Sequence, residues 1–194
     1  MRNLDKYSVL SRDTWQGRID DPNDPDSFRW HQCINLIDLN TVKKKDLPIQ
    51  GKNFCFLGFS CDKGVEKNKG RVGTALGPFS IRKSMANLPA NFGENGKIYD
   101  AGNIHCLDGN LESAQNNLSN AVEAILDLGL FPIVLGGGHE IALQLIKYVI
   151  KSGKTISVDI AEVSPRFDED NHTAKLASVI VYALINTMLY PEES

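Results

Sequence analysis

Short apolar runs alternating with segments of helical spacing constrain this chain more than any other feature. Residues 54–59 (FCFLGF) are closed by Ser60, residues 97–100 form a weaker run, residues 131–135 end in Gly136-Gly137-Gly138-His139-Glu140, and residues 155–160 form the last run. Each has the length and closure of a buried strand. Between them lie helical patterns. Pro78 suits the first turn of a helix that continues to about Leu88. Leu111, Ala114, Leu118, Val122, Ile125 and Leu126 keep to steps of three and four, and Gly129 supplies the stop. A third helix runs from the glycine turn to about Ser152 and is stopped by Gly153. The last begins near His172 or Thr173, with Leu176, Ile180, Leu184 and Met188 as its expected core stripe. This alternation predicts an α/β fold with a mostly parallel sheet and helices on both faces.

The rest of the chain is consistent with that class. Its 194 residues suit one domain, and 42% apolar with 23% charged residues is a globular balance. A net charge of −3 without a polybasic run gives no reason to expect a nucleic-acid partner or a membrane surface. Cys33, Cys55, Cys61 and Cys106 include no C-x-x-C pair and read as reduced thiols of a cytoplasmic protein. The opening residues lack the apolar core of a secretory signal, and the greasy stretch 176–190 is short for a span and carries Asn186. The first thirty residues read as a loop-like arm, pinned to the body by Trp15, Phe28 and Trp30. Lys43 to Lys45 is a solvated patch, and 64–77 is a glycine-punctuated loop.

In such sheets ligands collect beyond the carboxyl ends of the strands. The groups to weigh there are Cys61 and the loop after it, Asp100 with His105, 136–140, and 159–165. GGGHE admits three readings. His139 could bind a transition metal with Glu140 orienting it, the segment could be a tight turn with a satisfied histidine, or the glycines could cradle phosphate with Asp159 on a ribose. The phosphate pattern breaks at its third glycine, which is Ile141. In DIAEVSP (159–165), Glu162 is either a solvated strand end or a carboxylate able to hold a cationic amidine or guanidine. The stretch 168–172 (DEDNH) reads as the acidic, N-capped start of the last helix. Asp20 to Asp26 lacks the glycine and terminal glutamate of a calcium loop, and no nucleophile elbow or P-loop occurs.

Taken together, several blocks resemble one family: Trp15-Gln16-Gly17-Arg18-Ile19-Asp20 with Arg29-Trp30-His31-Gln32; Asn68-Lys69-Gly70-Arg71 leading through Gly77-Pro78 to Ile81-Arg82; Gly136 to Glu140; and Asp159 to Pro165 with Phe167-Asp168 and the 173–177 helix start. In this joint order the chain resembles the formimidoylglutamases (formiminoglutamases) of the ureohydrolase superfamily, which includes arginase and agmatinase. The resemblance implies a three-layer α/β/α sandwich and two manganese ions. A hydroxide bridging them would attack the amidine carbon of N-formimidoyl-L-glutamate, giving L-glutamate and formamide in histidine breakdown. His139 matches the first metal-binding histidine, and Glu162 matches the glutamate that contacts the amidine. Arg71 lies in a loop near the site mouth, where it suits the substrate carboxylates.

The chain also departs from that family. The Asp-Ala-His-x-Asp and Asp-x-Asp-x-x-Asp strand ends that supply most metal ligands belong between GGGHE and DIAEVSP. Only 141–158 lies there, and neither motif occurs. Residues 145–154 suit the helix preceding the final strand, so a central block is absent and the seam falls between Ile141 and Leu145. The expected organisation is one incomplete domain: an arm at 1–48, the first half of the fold at 49–140, and its last strand and helices from about 145 to 194. Two dications need several carboxylates, which His139 alone cannot replace and for which Asp100, His105 and Asp159 are unproven substitutes, so this chain is expected to be inactive or severely impaired. Its alternative roles are a non-catalytic binding or self-associating domain, through sheet edges left open, or a nucleotide-binding module using 136–138.

Overall fold

A computed structural model describes residues 4–48, 51–92, 95–137, 158–160, 163–167 and 170–190. Its sheet contains β1 (Tyr7–Ser8), β2 (Asn35–Leu36), β3 (Lys52–Ser60), β4 (Gly96–His105), β5 (Phe131–Leu135) and β6 (Val158–Ile160). The order is β1-β4-β3-β5-β6, with β2 also on β4. Every pairing is parallel except that of β1 with β4. The two arm strands share one edge: β1 meets β4 at Asn103 and Ile104, and β2 meets it at Tyr99 and Asp100.

Strand β3 is apolar on both faces because helices cover both. Cys55, Leu57 and Phe59 pack with Ala114, Leu118, Ala121, Val122 and Ile125 of α4 (Leu111–Asp127). Phe54 and Phe56 point the other way, into a core with Ile81 and Met85 of α3 (Gly77–Met85) and with Ala174, Ala177, Val181 and Ile185 of α5 (His172–Leu189). The result is the three-layer α/β/α arrangement expected from the sequence. Helix α4 begins where the Asn110 side chain accepts from the Ser113 amide, and it gives way to Gly129 at φ +82°. The arm is pinned as expected. Trp15 and Trp30 are buried and both stack on Phe56, at centroid distances of 6.2 and 5.9 Å.

Several local expectations are corrected. Strand β4 extends five residues beyond Asp100, because Asp100 is buried with a partner rather than solvated at a strand end. The 64–77 loop contains α2 (Lys63–Lys67) and a 3₁₀ turn at Thr74–Leu76. The arm contributes two short strands and α1 (Trp30–Cys33). The core stripe of α5 is only in part the expected one: Leu184 and Met188 are half-buried against the core, but Leu176 and Ile180 are 60% and 48% exposed, while Ala174, Ala177, Val181 and Ile185 are buried. This helix is apolar nearly all round, so periodicity could not choose its inner face. Asn171 precedes it in the left-handed region and makes no side-chain cap. The expected helix reaching Ser152 and the first half of the 155–160 strand lie outside the described residues.

Candidate functional site

The parallel strands bring three chain segments together at their carboxyl ends. Strand β3 leads through Cys61 into Asp62, whose Oδ1 accepts from the amides of Gly73 (2.8 Å) and Ala75 (2.9 Å). The Thr74 hydroxyl lies 2.9 Å from both that oxygen and the Cys61 carbonyl oxygen. Burial opposes the charge on Asp62, but the hydrogen bonds from Ala75, Gly73 and Thr74 outweigh it and hold the carboxyl below its ordinary range. Asp62 thus folds the loop back on the strand that launches it. At the end of β5 the Gly136 amide donates to the Ile160 carbonyl oxygen (2.7 Å). Gly136 takes φ +83°, and a Cβ there would stand 2.4 Å from Pro78 Cδ. Glycine at this position is required by the helix packed above it.

Beneath that edge lies a buried ion pair. Arg82 Nε and Nη2 donate to the two Asp100 carboxylate oxygens at 2.7 and 2.9 Å, and both side chains are fully buried. Trp15 Nε1 donates to the same carboxylate (2.9 Å), and Arg82 Nη1 reaches Asn103 Oδ1 (2.8 Å). This network joins arm, α3 and β4 where β4 bulges against β3. Farther along the edge, His105 Nε2 and Ser8 Oγ share a 2.7 Å hydrogen bond beside a cavity of about 420 Å³, which also takes in Lys6, Leu107 and Asp108. Burial lowers the His105 pKa.

Of the residues singled out from the sequence, His139 and Glu162 lie outside the described residues, as do Gly138, Glu140 and Asp168. Arg71 is exposed in the loop between α2 and the 3₁₀ turn at Thr74–Leu76. Asp159 pairs with Val134 in β6, and its side chain is not among those described. Asp100 and His105, considered as extra ligands, are instead held by Arg82 with Trp15 and by Ser8. Cys61 is buried, and all four cysteines are free thiols. Among the described residues no group of three or more His, Cys, Asp or Glu side chains could hold a metal ion. The donor set described therefore does not fit a pair of manganese ions, which need several uncommitted carboxylates. Sequence reasoning missed the roles of Asp62 and Arg82. Only the position of Arg82 beside Ile81 and three residues before Met85, on the inner face of α3, hinted at burial.

This parallel three-layer frame, with loops knit at its carboxyl edge, is that of the Arginase family. The chain belongs to that family, whose sequence model matches residues 52–155 and 141–186. The two matches overlap across 141–155, the stretch that contains the expected seam. The most similar curated relatives include formimidoylglutamases. That of Clostridium tetani is 50% identical over 153 residues, covering 78% of this chain and 44% of the relative. That of Geobacillus sp. is 41% identical over 164 residues, covering 84% and 49%. The chain thus spans less than half the length of either. A solved Trypanosoma cruzi formiminoglutamase with Mn2+ aligns at 26% identity and a TM-score of 0.47, over 59% of this chain and 38% of that one. The family assignment rests on the sequence matches.

Proposed function

We propose that this chain is a formimidoylglutamase-type member of the Arginase family that holds the frame of the enzyme without its metal centre and is inactive, or severely impaired, on its own. The observation that carries this reading is its coverage of its relatives. The chain matches formimidoylglutamases along 78–84% of its own length yet supplies only 44–49% of theirs. The two aspartate-rich ligand motifs occur nowhere in it.

The chemistry that manganese would supply to a complete enzyme of this type is acidification of the water that hydrolyses N-formimidoyl-L-glutamate. His139 is the residue of this chain proposed to bind metal, Glu162 to meet the amidine, and Arg71 to meet a substrate carboxylate. A single histidine leaves two dications without the charge that would balance them. What the chain's own residues do is positional. Asp62 fixes the loop that carries Arg71, and Gly136 lets α3 close over the strand that leads to His139. A cytoplasmic location would keep its four free thiols reduced; among the described residues no helix is long and apolar enough to cross a membrane. The nucleotide-binding alternative is weakened at Gly136, whose amide is spent on Ile160 rather than left to meet a phosphate.

Purified chain incubated with N-formimidoyl-L-glutamate and manganese should release no formamide above the uncatalysed background and should retain well under two manganese per chain by elemental analysis. Turnover comparable to a formimidoylglutamase, or two bound manganese, would overturn the reading.

A further inference from the structure

We propose that Ser8 and His105 form a nucleophile–base pair that hydrolyses small uncharged esters, by way of an acyl-serine, in a cavity apart from the strand that leads to His139. His105 ends β4 at the carboxyl edge of the sheet, and Ser8 comes to it from β1, on the far side of β4 from β3. Strand β3 therefore stands between this pair and β5. The backbone holds both partners in place. Ser8 pairs with Asn103, Tyr7 with Ile104, and the His105 amide donates to the Lys6 carbonyl oxygen at 2.8 Å. Gly102, at φ +91°, admits the arm this closely, because a Cβ there would stand 2.1 Å from the Ser8 carbonyl oxygen. Ser8 Oγ and His105 Nε2 meet at 2.7 Å, within the reach that a base needs to take a nucleophile's proton. With its own proton on Nδ1, the ring accepts from the Ser8 hydroxyl. Burial lowers the His105 pKa, so the imidazole is neutral near pH 7 and able to accept that proton.

The pair also faces open space rather than packed core. Ser8 and His105 both line the cavity of about 420 Å³, a volume in the range of small-molecule sites. The Lys6 ammonium lines it too, anchored by Asp108 at 2.6 Å, and can meet the negative charge that develops on a carbonyl oxygen. Asp5 and Asp108 against Lys6 leave the lining negative while His105 is neutral, which disfavours an ester that is itself an anion. Leu107, 91% exposed, adds apolar surface for the body of the ester. In the reaction Ser8 Oγ bonds to the carbonyl carbon as its proton passes to His105 Nε2. The ester carbon–oxygen bond then breaks, and the leaving alcohol takes that proton. Water attacks the acyl-serine, giving a proton to His105 Nε2 in turn, and Ser8 recovers it as the carboxylic acid departs.

The test incubates the full chain with 4-nitrophenyl acetate and, separately, with an uncharged fluorophosphonate, which phosphonylates serine with loss of fluoride. EDTA is present throughout, so no readout depends on a metal centre. An early burst of 4-nitrophenolate is expected, and peptide mass mapping should place both the acetyl and the phosphonyl group on Ser8. Labelling should vanish in Ser8→Ala and slow at least about 100-fold in His105→Gln, with circular dichroism confirming that each variant is folded. The site mapped in the unsubstituted chain decides the matter even where a variant folds poorly. Labels confined to lysines or cysteines would overturn the proposal, as would Ser8 labelling that His105→Gln leaves unchanged. Ester hydrolysis without an acyl-serine would overturn it too, since His105 would then be acting on water directly. The anionic 4-nitrophenyl succinate should react at least about tenfold more slowly than the acetate, and equal rates would refute the substrate class.

Discussion

Asp100 sits at the centre of a buried polar network that joins the arm, α3 and β4. Its carboxylate takes two bonds from Arg82, one from Trp15 and one from the Gly102 amide. Replacing such a pair with apolar groups can be nearly neutral, but removing one partner strands a buried charge at about 3–5 kcal/mol. Asp100→Ala should lose stability on that scale in urea unfolding, and a loss under about 1 kcal/mol would show that Asn103 and the Gly102 carbonyl satisfy Arg82 alone. His105 makes a pH-dependent contribution. Burial depresses its folded pKa, so the unfolded chain takes up the proton first as pH falls. The associated stability is present above about pH 6.5 and is lost as the pH drops from there through the folded value. His105→Gln should flatten that part of the stability profile, and unchanged slopes in the two proteins would refute the assignment. Neither role was legible in the sequence. Asp100 and His105 look like candidate ligands until Arg82, Trp15 and Ser8 are brought to them from elsewhere in the chain.

At the scale of elements, legibility followed the clarity of the repeat. Strand β5 coincides with its predicted run, and α4 ends within a residue of its expected limit, because each has one unambiguous period and a glycine close behind it. Strand β4 was underestimated, since Asp100 and Asn103 look like a polar terminus when their partners are not known. For α5, two apolar stripes compete, and the sheet accepts the one rich in small residues because alanine at 174 and 177 lets the helix approach closely. Opposed substitutions separate the stripes. Ile185→Ala should cost about 2–5 kcal/mol by opening a cavity. Ile180→Ala should change stability by no more than about 0.5 kcal/mol. Comparable losses at both sites in thermal unfolding would mean that the outer stripe is covered after all.

For the molecule as a whole, the sequence by itself determined the class of fold, the family and the shortfall. Alternating periods specify a parallel α/β sheet wherever they occur, and the order of short motifs, with two of them missing, is a property of the chain rather than of its shape. Tertiary structure alone decided which strands are neighbours. Strands β5 and β6, far apart in sequence, pair directly, and the arm strands β1 and β2 both pair with β4. It also decided the hydrogen-bond partners of Asp62, Asp100 and His105. The physical reason is the same in each case. A period needs only neighbours a few residues apart, whereas a strand's neighbour, a helix's inner face and a buried carboxylate's partner are set by residues distant in sequence.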